Sequence, residues 1–388
     1  MTRIHKLYIS NLLTGLVFWY GIEKLFMQSI GIDAFGVGIV TAVILVFTLL
    51  FDLPMGLVAD KWSRKGQLVI SAVSLGACSF ILGMSNSLTV YIIGVLFYGL
   101  YLVNTSGTYQ AITYDILHEE GRAKDYTREM GRAYALFLVG AGLANTASGF
   151  IANIDIRLPF WLSLVPPILN SVIVLSIKEP TFHKEQQEAQ FFRQFAVAVR
   201  EVSKVAVVRS LILVSVGFGM IATFTLDLSQ LYMLTFTTSP VQLGLLWAVF
   251  AFALAAGSYA AHHVKAHLTP VIIAAMCLMI SFSLTRQSWG LIVFMIYAVC
   301  NTGAALLIET QVQHNTASSI RASVLSLLST LSRLASLPTA LVLGWVARRY
   351  DIFASIKLVS AVASAVLIYW VAVGSGRMKS HERLLGKE

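Results

Sequence analysis

The sequence predicts an all-α integral membrane protein whose twelve transmembrane helices form two pseudo-symmetric six-helix bundles. Hydrophobic residues make up 57% of the 388 positions and charged residues 12%, against roughly 45–50% and about 25% in soluble domains. Apolar runs close to the ~20 residues that cross a bilayer recur along the whole chain. Short motifs also repeat in the same order in its two halves. These observations predict one membrane domain built by duplication.

The first six spans are predicted at residues 7–30, 34–59, 67–85, 88–112, 130–153 and 157–177. The first run follows Arg3 and Lys6, as the apolar region of a signal peptide would. It is too long for one, Glu23 and Lys24 interrupt it, and no small-residue cleavage site follows. We therefore expect the first run to be a transmembrane helix.

Six further spans are predicted at residues 209–236, 240–262, 269–286, 289–312, 322–346 and 352–374. The chain thus divides into an N-terminal bundle at 1–178, a cytoplasmic linker at 179–207 and a C-terminal bundle at 208–388. Apolar side chains recur at helical spacing in the linker, at Phe191, Phe192, Phe195, Val199 and Val202. This pattern favours an amphipathic helix on the membrane surface. An ordinary solvated linker is the alternative.

The basic residues define the expected orientation. With both termini in the cytoplasm, most Lys and Arg fall in inside segments, whereas Arg157, Arg286, Arg348 and Arg349 fall outside. This excess follows the positive-inside rule and explains the formal charge of +9 without nucleic acid. We expect a multi-pass protein of the cytoplasmic (cell) membrane, surrounded by lipid and monomeric.

The loop between the second and third spans reads Gly56-Leu-Val-Ala-Asp60-Lys-Trp-Ser63-Arg64-Lys65. This motif is similar to the G-x-x-x-D-R/K-x-G-R/K-R/K signature of the major facilitator superfamily, with Ser63 in place of its second glycine. The resemblance extends over nearly the whole chain, through the twelve spans, the duplicated halves and the linker. It implies alternating-access transport.

The residues of this loop suggest a gate. Gly56 would let another helix approach closely, Asp60 would meet a helix N-terminus, and Arg64 and Lys65 would hold the loop in the cytoplasm. The resemblance implies that Asp60 and Arg64 stabilise the outward-facing state, with Asp115 as partner. A purely topogenic basic loop is the alternative. Asp52, just before Pro54, is assigned either to gating or to local hydrogen bonding.

An antiporter-type signature in the fifth span is only partly kept. Gly131, Gly140 and Gly149 have its spacing, but Ala144 and Asn145 replace the expected Gly-Pro pair. A stripe of small residues that packs against another helix explains Gly140, Ala144 and Ser148 at least as well.

Ionisable residues inside spans are costly in hydrocarbon and are therefore functional candidates. Glu23 shares a helical face with Trp19, Tyr20 and Phe26, which suits an organic cation. The adjacent Lys24 equally suggests a solvated pair near the outer interface.

Two further ionisable residues lie in later spans. Asp227 shares a face with Thr223 and Gln230 and is our preferred substrate or proton site. Arg333 lies among serines and a threonine, where it would bind an anionic group or neutralise an acid. A fixed ion pair without transport chemistry is the alternative for Asp227 and for Arg333.

No catalytic, cofactor or metal site is expected. The chain has no nucleotide-binding loop, serine elbow, HExxH or paired catalytic carboxylates. Cys78, Cys277 and Cys300 lie in apolar runs, and His262, His263 and His267 lack acidic or cysteine ligands nearby.

The sequence therefore predicts a secondary transporter of a small organic solute, most simply proton-coupled efflux of an amphipathic or cationic compound. Uptake of a metabolite is the alternative within the class. A transport-inactive sensor or scaffold, or a membrane-embedded enzyme, is the alternative outside it.

Overall fold

The computed structural model describes residues 2–105, 107–180, 200, 202, 205–263, 268–316 and 320–378, apart from the side chains at 53, 57, 59–61, 262, 263 and 322. Over these residues the chain is helical, and no strand is present. The predicted all-α class is confirmed. The predicted linker helix, with Phe191, Phe192, Phe195 and Val199, lies outside the described residues.

The described residues before the linker form nine α-helices. They are α1 Arg3–Gly15, α2 Glu23–Ser29, α3 Ala34–Lys61, α4 Arg64–Met84, α5 Leu88–Thr105, α6 Thr108–Glu119, α7 Tyr126–Ala152, α8 Leu158–Leu162 and α9 Val165–Leu175. Short 3₁₀ turns at Tyr20–Ile22 and Ala123–Asp125 precede α2 and α7.

The described residues after the linker form seven more helices. They are α10 Ala206–Ala222, α11 Ser229–Met233, α12 Pro240–His263, α13 Leu268–Ser283, α14 Gly290–His314, α15 Arg321–Arg349 and α16 Ile352–Tyr369. A π-helical turn at Thr223–Leu228 joins α10 to α11, and a second at Trp370–Gly374 follows α16.

Ten helical segments in the described chain are long and apolar enough to cross a membrane, and α13 is a shorter apolar helix. Each coincides with a predicted span. The predicted first span, 7–30, is instead divided into α1, a 3₁₀ turn and α2. One cause is visible at the break, where Ser163 Oγ accepts a hydrogen bond from the backbone N–H of Phe18 at 2.9 Å. The count of twelve spans therefore stays a prediction.

The fourth span also differs from its prediction at residues 88–112. Helix α5 ends at Thr105, and a new helix starts after Gly107, whose φ of +71° is a left-handed conformation that favours glycine. The helical segment continues to Glu119. Asp115 thus lies within α6 rather than beyond the end of a span.

By packing, Met1–Glu185 with Thr237–Ala248 form one compact unit, and Gln186–Phe236 with Val249–Glu388 form another. The first unit has a buried apolar core that includes Leu7, Leu68 and Ile112. The second has an aromatic core in which Phe282, Phe294 and Tyr232 pack together, with ring centroids 4.8–6.2 Å apart.

Large apolar side chains also lie on the outside of the helices. Leu50, Val73, Phe252 and Ile368 are each at least 59% exposed. A water-soluble protein does not cover its helices with apolar surface in this way. Hydrocarbon is the solvent that matches these faces, and the chain is a multi-pass membrane protein.

Helices α1 and α7 approach at two glycines. A Cβ atom on Gly140 would lie 2.4 Å from the carbonyl oxygen of Leu12, and one on Gly15 would lie 2.2 Å from that of Phe137. Ala144 and Ser148, further along α7, are fully buried. The small-residue stripe predicted for the fifth span is therefore a packing surface.

We expect Gly140→Ala to destabilise the protein by about 1–3 kcal/mol, the usual cost of overpacking a tight contact. Gly131→Ala is the matched control on the same helix, because nothing lies within 4 Å of its Cβ position. Thermal unfolding of the detergent-solubilised protein measures both. Equal melting temperatures for the two variants would contradict the close approach of α1 and α7.

Candidate functional site

Glu23 is held inside the first unit by two donors. Its carboxylate accepts hydrogen bonds from Tyr91 Oη at 2.9 Å and from Lys24 Nζ at 2.7 Å. The side chains of Glu23 and Lys24 are 19% and 7% exposed, and Tyr91 is fully buried. The pair is thus enclosed by protein rather than solvated. Because Lys24 neutralises Glu23, a bound solute would meet a zwitterionic pair rather than a bare negative charge.

The aromatic residues predicted beside this pair pack on one another. Trp19 stacks on Phe160 with centroids 5.8 Å apart, and Phe26 packs on the same ring at 4.4 Å. The Tyr20 ring packs edge-on against Trp19 at 4.5 Å, and its hydroxyl donates to the Tyr98 hydroxyl at 3.0 Å. The 3₁₀ turn at Tyr20–Ile22 interrupts the α-helical spacing on which the predicted common face depended, so Trp19 and Phe26 meet through Phe160.

The indole of Trp19 is fixed from a third helix. Its Nε1–H donates to Ser79 Oγ of α4 at 3.1 Å, and the side chain is only 2% exposed. A buried, hydrogen-bonded indole is a rigid wall. Trp19 therefore shapes the aromatic group more than it offers a free surface to a ligand.

In the second unit, the π-helical turn carries the preferred candidate. Asp227 lies in this turn and is half-buried, while Thr223 and Gln230 are 4% and 1% exposed. Single π-turns are rare and occur frequently at functional sites. A π-turn has more residues per turn than an α-helix. The positions of Thr223, Asp227 and Gln230 around the helix axis therefore differ from those expected for a regular α-helix.

A buried hydroxyl pair fixes the same turn to α14. Thr225 and Tyr297 are 1% and 0% exposed, and their oxygens are 3.0 Å apart. Neither residue was a sequence candidate. In the sequence they are a threonine and a tyrosine inside apolar runs, and nothing there distinguishes them from ordinary core residues.

Arg333 lies half-buried on α15, on the helix that packs beside α10. One turn further, Ser336 Oγ donates to the carbonyl oxygen of Gly219 at 3.0 Å, and Thr223 Oγ1 donates to the same carbonyl at 3.2 Å. Part of the serine stripe predicted around Arg333 thus serves helix packing.

The 56–65 loop is fixed by contacts on one end of the first unit. Arg64 forms an ion pair with Asp115, and both side chains are 17% exposed. Lys65 Nζ donates to the carbonyls of Leu175 and Ile177 at 3.3 and 3.2 Å. The structure therefore brings Arg64 and Asp115 together, while the gating role of the loop stays a prediction.

Ser63, which replaces the signature glycine, has a definite role in this loop. It caps α4 by accepting a hydrogen bond from the N–H of Gly66 at 2.8 Å, and its backbone is extended. The Ser63 hydroxyl lies 2.8 Å from Glu179 Oε1. No left-handed conformation is needed, so the loss of the glycine carries no backbone strain.

The other three residues of the predicted gate are Gly56, Asp52 and Asp60. Gly56 has open space around its Cβ position, so the close helix approach expected there is not present among the described residues. Asp52 is half-buried, and α3 continues through Pro54 to Lys61. The side chain of Asp60 lies outside the described part of the chain.

A buried carboxylate at the same end, Glu129, was not among the candidates that the sequence suggested. Glu129 is 3% exposed and accepts hydrogen bonds from Tyr8 Oη and from Arg122 at 3.0 Å, with Arg128 at 3.2 Å and Arg132 at 3.6 Å. The signal was present, since an acidic residue stands between arginines in the segment Arg128-Glu129-Met-Gly-Arg132. This cluster joins α1 to α7 and its preceding turn.

Nearby guanidinium groups are stabilised in the charged form. Hydrogen bonding to Glu119 raises the pKa of Arg3, and hydrogen bonding to Asp125 raises the pKa of Arg122. Both arginines stay protonated across the physiological range.

No group of three or more His, Cys, Asp or Glu side chains with metal-binding geometry occurs among the described residues. His262, His263 and His267 are not among the side chains that the structure describes. Cys78 is buried, Cys277 is exposed and Cys300 is half-buried, and none is in a disulfide.

An all-helical, multi-pass membrane fold with ionisable side chains inside its spans is the architecture of a membrane transporter. The family model of the Major Facilitator Superfamily matches residues 7–338. The chain therefore belongs to this superfamily, whose members are transporters.

Solved transporters share the fold. A mutant form of the nucleoside transporter NupG has a TM-score of 0.81 at 13% identity, covering 96% of this chain and 100% of that one. A D-xylose-proton symporter has a TM-score of 0.72 at 13% identity, covering 95% and 96%. A bacterial homologue of the human lysosomal transporter Spinster has a TM-score of 0.70 at 15% identity, covering 99% and 96%.

One curated relative is the Multidrug resistance protein 1 of Bacillus subtilis (strain 168). It is 24% identical over 184 residues, which is 47% of this chain and 46% of the relative. The match therefore spans about half of the relative's length.

The Glu23–Lys24 pair gives a direct test of the site. We expect Glu23→Gln to destabilise the protein by about 3 kcal/mol, because it leaves the buried Lys24 charge without its carboxylate. The double variant Glu23→Gln/Lys24→Met should recover most of this loss, since it removes both charges together. Thermal unfolding in detergent measures each variant.

Glu120→Gln is the control, because Glu120 belongs to a more exposed ion pair with Arg3 that contributes at most about 1 kcal/mol. A double variant no more stable than Glu23→Gln alone would contradict the buried pair.

Proposed function

We propose that the protein is a secondary active transporter that moves a small amphipathic or cationic organic solute out of the cell by alternating access, in exchange for protons. The observation that carries this proposal is the carboxylate of Asp227 on a π-helical turn within a membrane-spanning segment. An ionisable group inside a membrane span is costly and rare, and it therefore marks a candidate functional site. A carboxylate can bind a cation or a proton. The two compete because both bind to the same negative charge.

The rest of the site supports an organic solute. Trp19, Tyr20 and Phe26 place aromatic rings close to Glu23 in the sequence, and the Tyr91 hydroxyl donates to its carboxylate. Aromatic faces attract organic cations and apolar rings alike. The distant likeness to a multidrug resistance protein agrees with an export substrate of this kind.

The proposal includes an orientation. We place the protein in the cell membrane with both termini in the cytoplasm, because the basic residues concentrate in the corresponding segments. The 56–65 loop would then lie inside, where the Arg64–Asp115 ion pair would stabilise one of the transport states.

Uptake of a polar metabolite is the second candidate, and one observation favours it. Lys24 donates directly to Glu23, so this pair is electrically neutral and offers both a donor and an acceptor. Such a pair suits the hydroxyl groups of an uncharged solute better than it suits a cation.

The test is proton-gradient-driven flux of a panel of amphipathic organic cations into proteoliposomes, for the natural protein and for Asp227→Asn. We expect flux that collapses with the gradient and that falls to the level of protein-free liposomes in Asp227→Asn. The reason is that the amide neither binds a cation nor carries a proton at neutral pH. Asp155→Asn, at an exposed turn, is the control and should keep full flux.

Flux that is unaffected by the gradient and by Asp227→Asn would contradict proton-coupled export. A panel without any flux, followed by gradient-dependent uptake of sugars or nucleosides, would establish the uptake candidate instead. Absence of flux for both panels in a correctly folded protein would favour the sensor or scaffold.

A further inference from the structure

An apolar cavity of about 390 Å³ opens on the outside of the second unit, between α10, α15 and α16. Its lining includes Met220, Pro338, Val342, Leu358 and Val362. Thr339 is the one polar side chain in the lining, and its hydroxyl already donates to the carbonyl of Ala335 at 2.8 Å. The hydrogen of this hydroxyl is therefore already used, the rest of the lining is apolar, and the cavity suits a hydrocarbon chain.

The depth of the cavity matches one membrane leaflet. Helices α15 and α16 meet at the turn Tyr350–Asp351. Val342 and Pro338 lie about 10 and 16 Å from Arg349 along α15, at 1.5 Å per residue. A hydrocarbon core is ~30 Å thick, so the cavity lies beside the deeper half of the acyl chains in the leaflet at this turn. Val342 and Leu358 are 50% and 40% exposed, which leaves the cavity accessible from that leaflet.

Cationic and aromatic side chains stand between the cavity and the membrane surface. Pro338, Val342, Trp345 and Arg349 recur at spacings of four, three and four residues, so they form one stripe along α15. Arg349 lies over the ring of Tyr350, and Trp345 packs against the same ring. Aromatic and basic residues of this kind occupy the headgroup level.

Lys357 strengthens this assignment. It is exposed on α16 within a membrane-spanning segment, one helical turn from the cavity residue Ala361. A lysine at this depth extends its amine toward the interface, where phosphate groups lie. The carboxylate at this end, Asp351, caps α16 by accepting a hydrogen bond from Ala354 N–H at 2.6 Å and also faces Arg286 at 3.6 Å. The Asp351 carboxylate therefore already has partners within the protein.

We propose that this face binds an anionic phospholipid of the leaflet at the α15–α16 turn, with its phosphate near Lys357 and Arg349 and one acyl chain in the cavity. The cations select the headgroup by charge, and the cavity takes the chain by apolar contact. A zwitterionic lipid offers the same chain without the net negative charge. Headgroup charge therefore distinguishes this site from ordinary lipid contact.

The test uses the full-length protein in detergent with phosphatidylglycerol that carries a photoreactive diazirine in its acyl chain, and phosphatidylcholine with the same chain as the comparison probe. Labelled peptides are identified by mass spectrometry. We expect phosphatidylglycerol to label residues 338–343 and 358–362 at least about fivefold more than phosphatidylcholine, the factor that corresponds to about 1 kcal/mol per basic residue near an anionic headgroup.

Variants separate the headgroup from the chain. Lys357→Gln should lower phosphatidylglycerol labelling about fivefold, and Lys357→Arg should keep it. Ala361→Phe fills the cavity and should lower labelling by both lipids. The matched controls are Lys124→Gln, an exposed lysine of the first unit, and Ala365→Phe, an exposed position one turn beyond the cavity. Neither control should change the labelling.

Equal labelling by the two lipids would overturn the proposal, because it would reduce the cavity to an unselective contact with hydrocarbon. Unchanged phosphatidylglycerol labelling in Lys357→Gln would also overturn it. Because the readout is labelling rather than transport, the result is independent of the solute that the protein moves.

Discussion

The structure depends on one constraint: a polar group inside hydrocarbon must find its partner within the protein. Several buried hydroxyls, amides and indoles follow it in pairs. Ser10 donates to Asn170, Trp19 donates to Ser79, and Thr225 is paired with Tyr297. Each of these bonds joins different helices, so satisfying the polar groups also fixes how the helices pack within each unit.

The same constraint explains why the buried carboxylates have partners within the protein. Glu23 is stabilised by a lysine and a tyrosine, and Glu129 is stabilised by arginines and a tyrosine. Glu129 lies at the end of a span, where a dense ion cluster is a structural tie between helices. Glu23 lies among aromatic side chains within the unit, where a solute could compete for its hydrogen bonds. Location within the fold, more than charge alone, separates the structural carboxylate from the candidate for binding.

The sequence was sufficient for the membrane class and for most spans, because long apolar runs have no other stable environment. It was insufficient wherever a helix is interrupted. At the division of the first span and at the π-turn of Thr223–Leu228, other helices make contacts, whereas the break at Gly107 lies at a left-handed glycine. One such contact is the hydrogen bond from Phe18 N–H to Ser163. The residues that make these contacts are far apart in the sequence, and nothing in a single sequence marks them as neighbours.

The candidate site was predictable in its composition and less so in its geometry. Arg64 and Asp115 were expected to interact, and the structure brings them together. Glu129 and Tyr297 were overlooked, since one resembled an interfacial charge and the other a core residue. The grouping of Trp19, Tyr20 and Phe26 assumed a regular α-helix. The 3₁₀ turn at Tyr20–Ile22 interrupts that helix, and the rings meet through contacts with one another and with Phe160.

In the proposed transport cycle, an intramembrane carboxylate exchanges a proton for an organic solute. This exchange is measured as proton release on solute binding, recorded with a pH indicator in a weakly buffered solution of the detergent-solubilised protein. We expect a cationic solute to release protons in proportion to its binding, and Asp227→Asn to remove this release. Saturable binding of the solute without any proton release would contradict it.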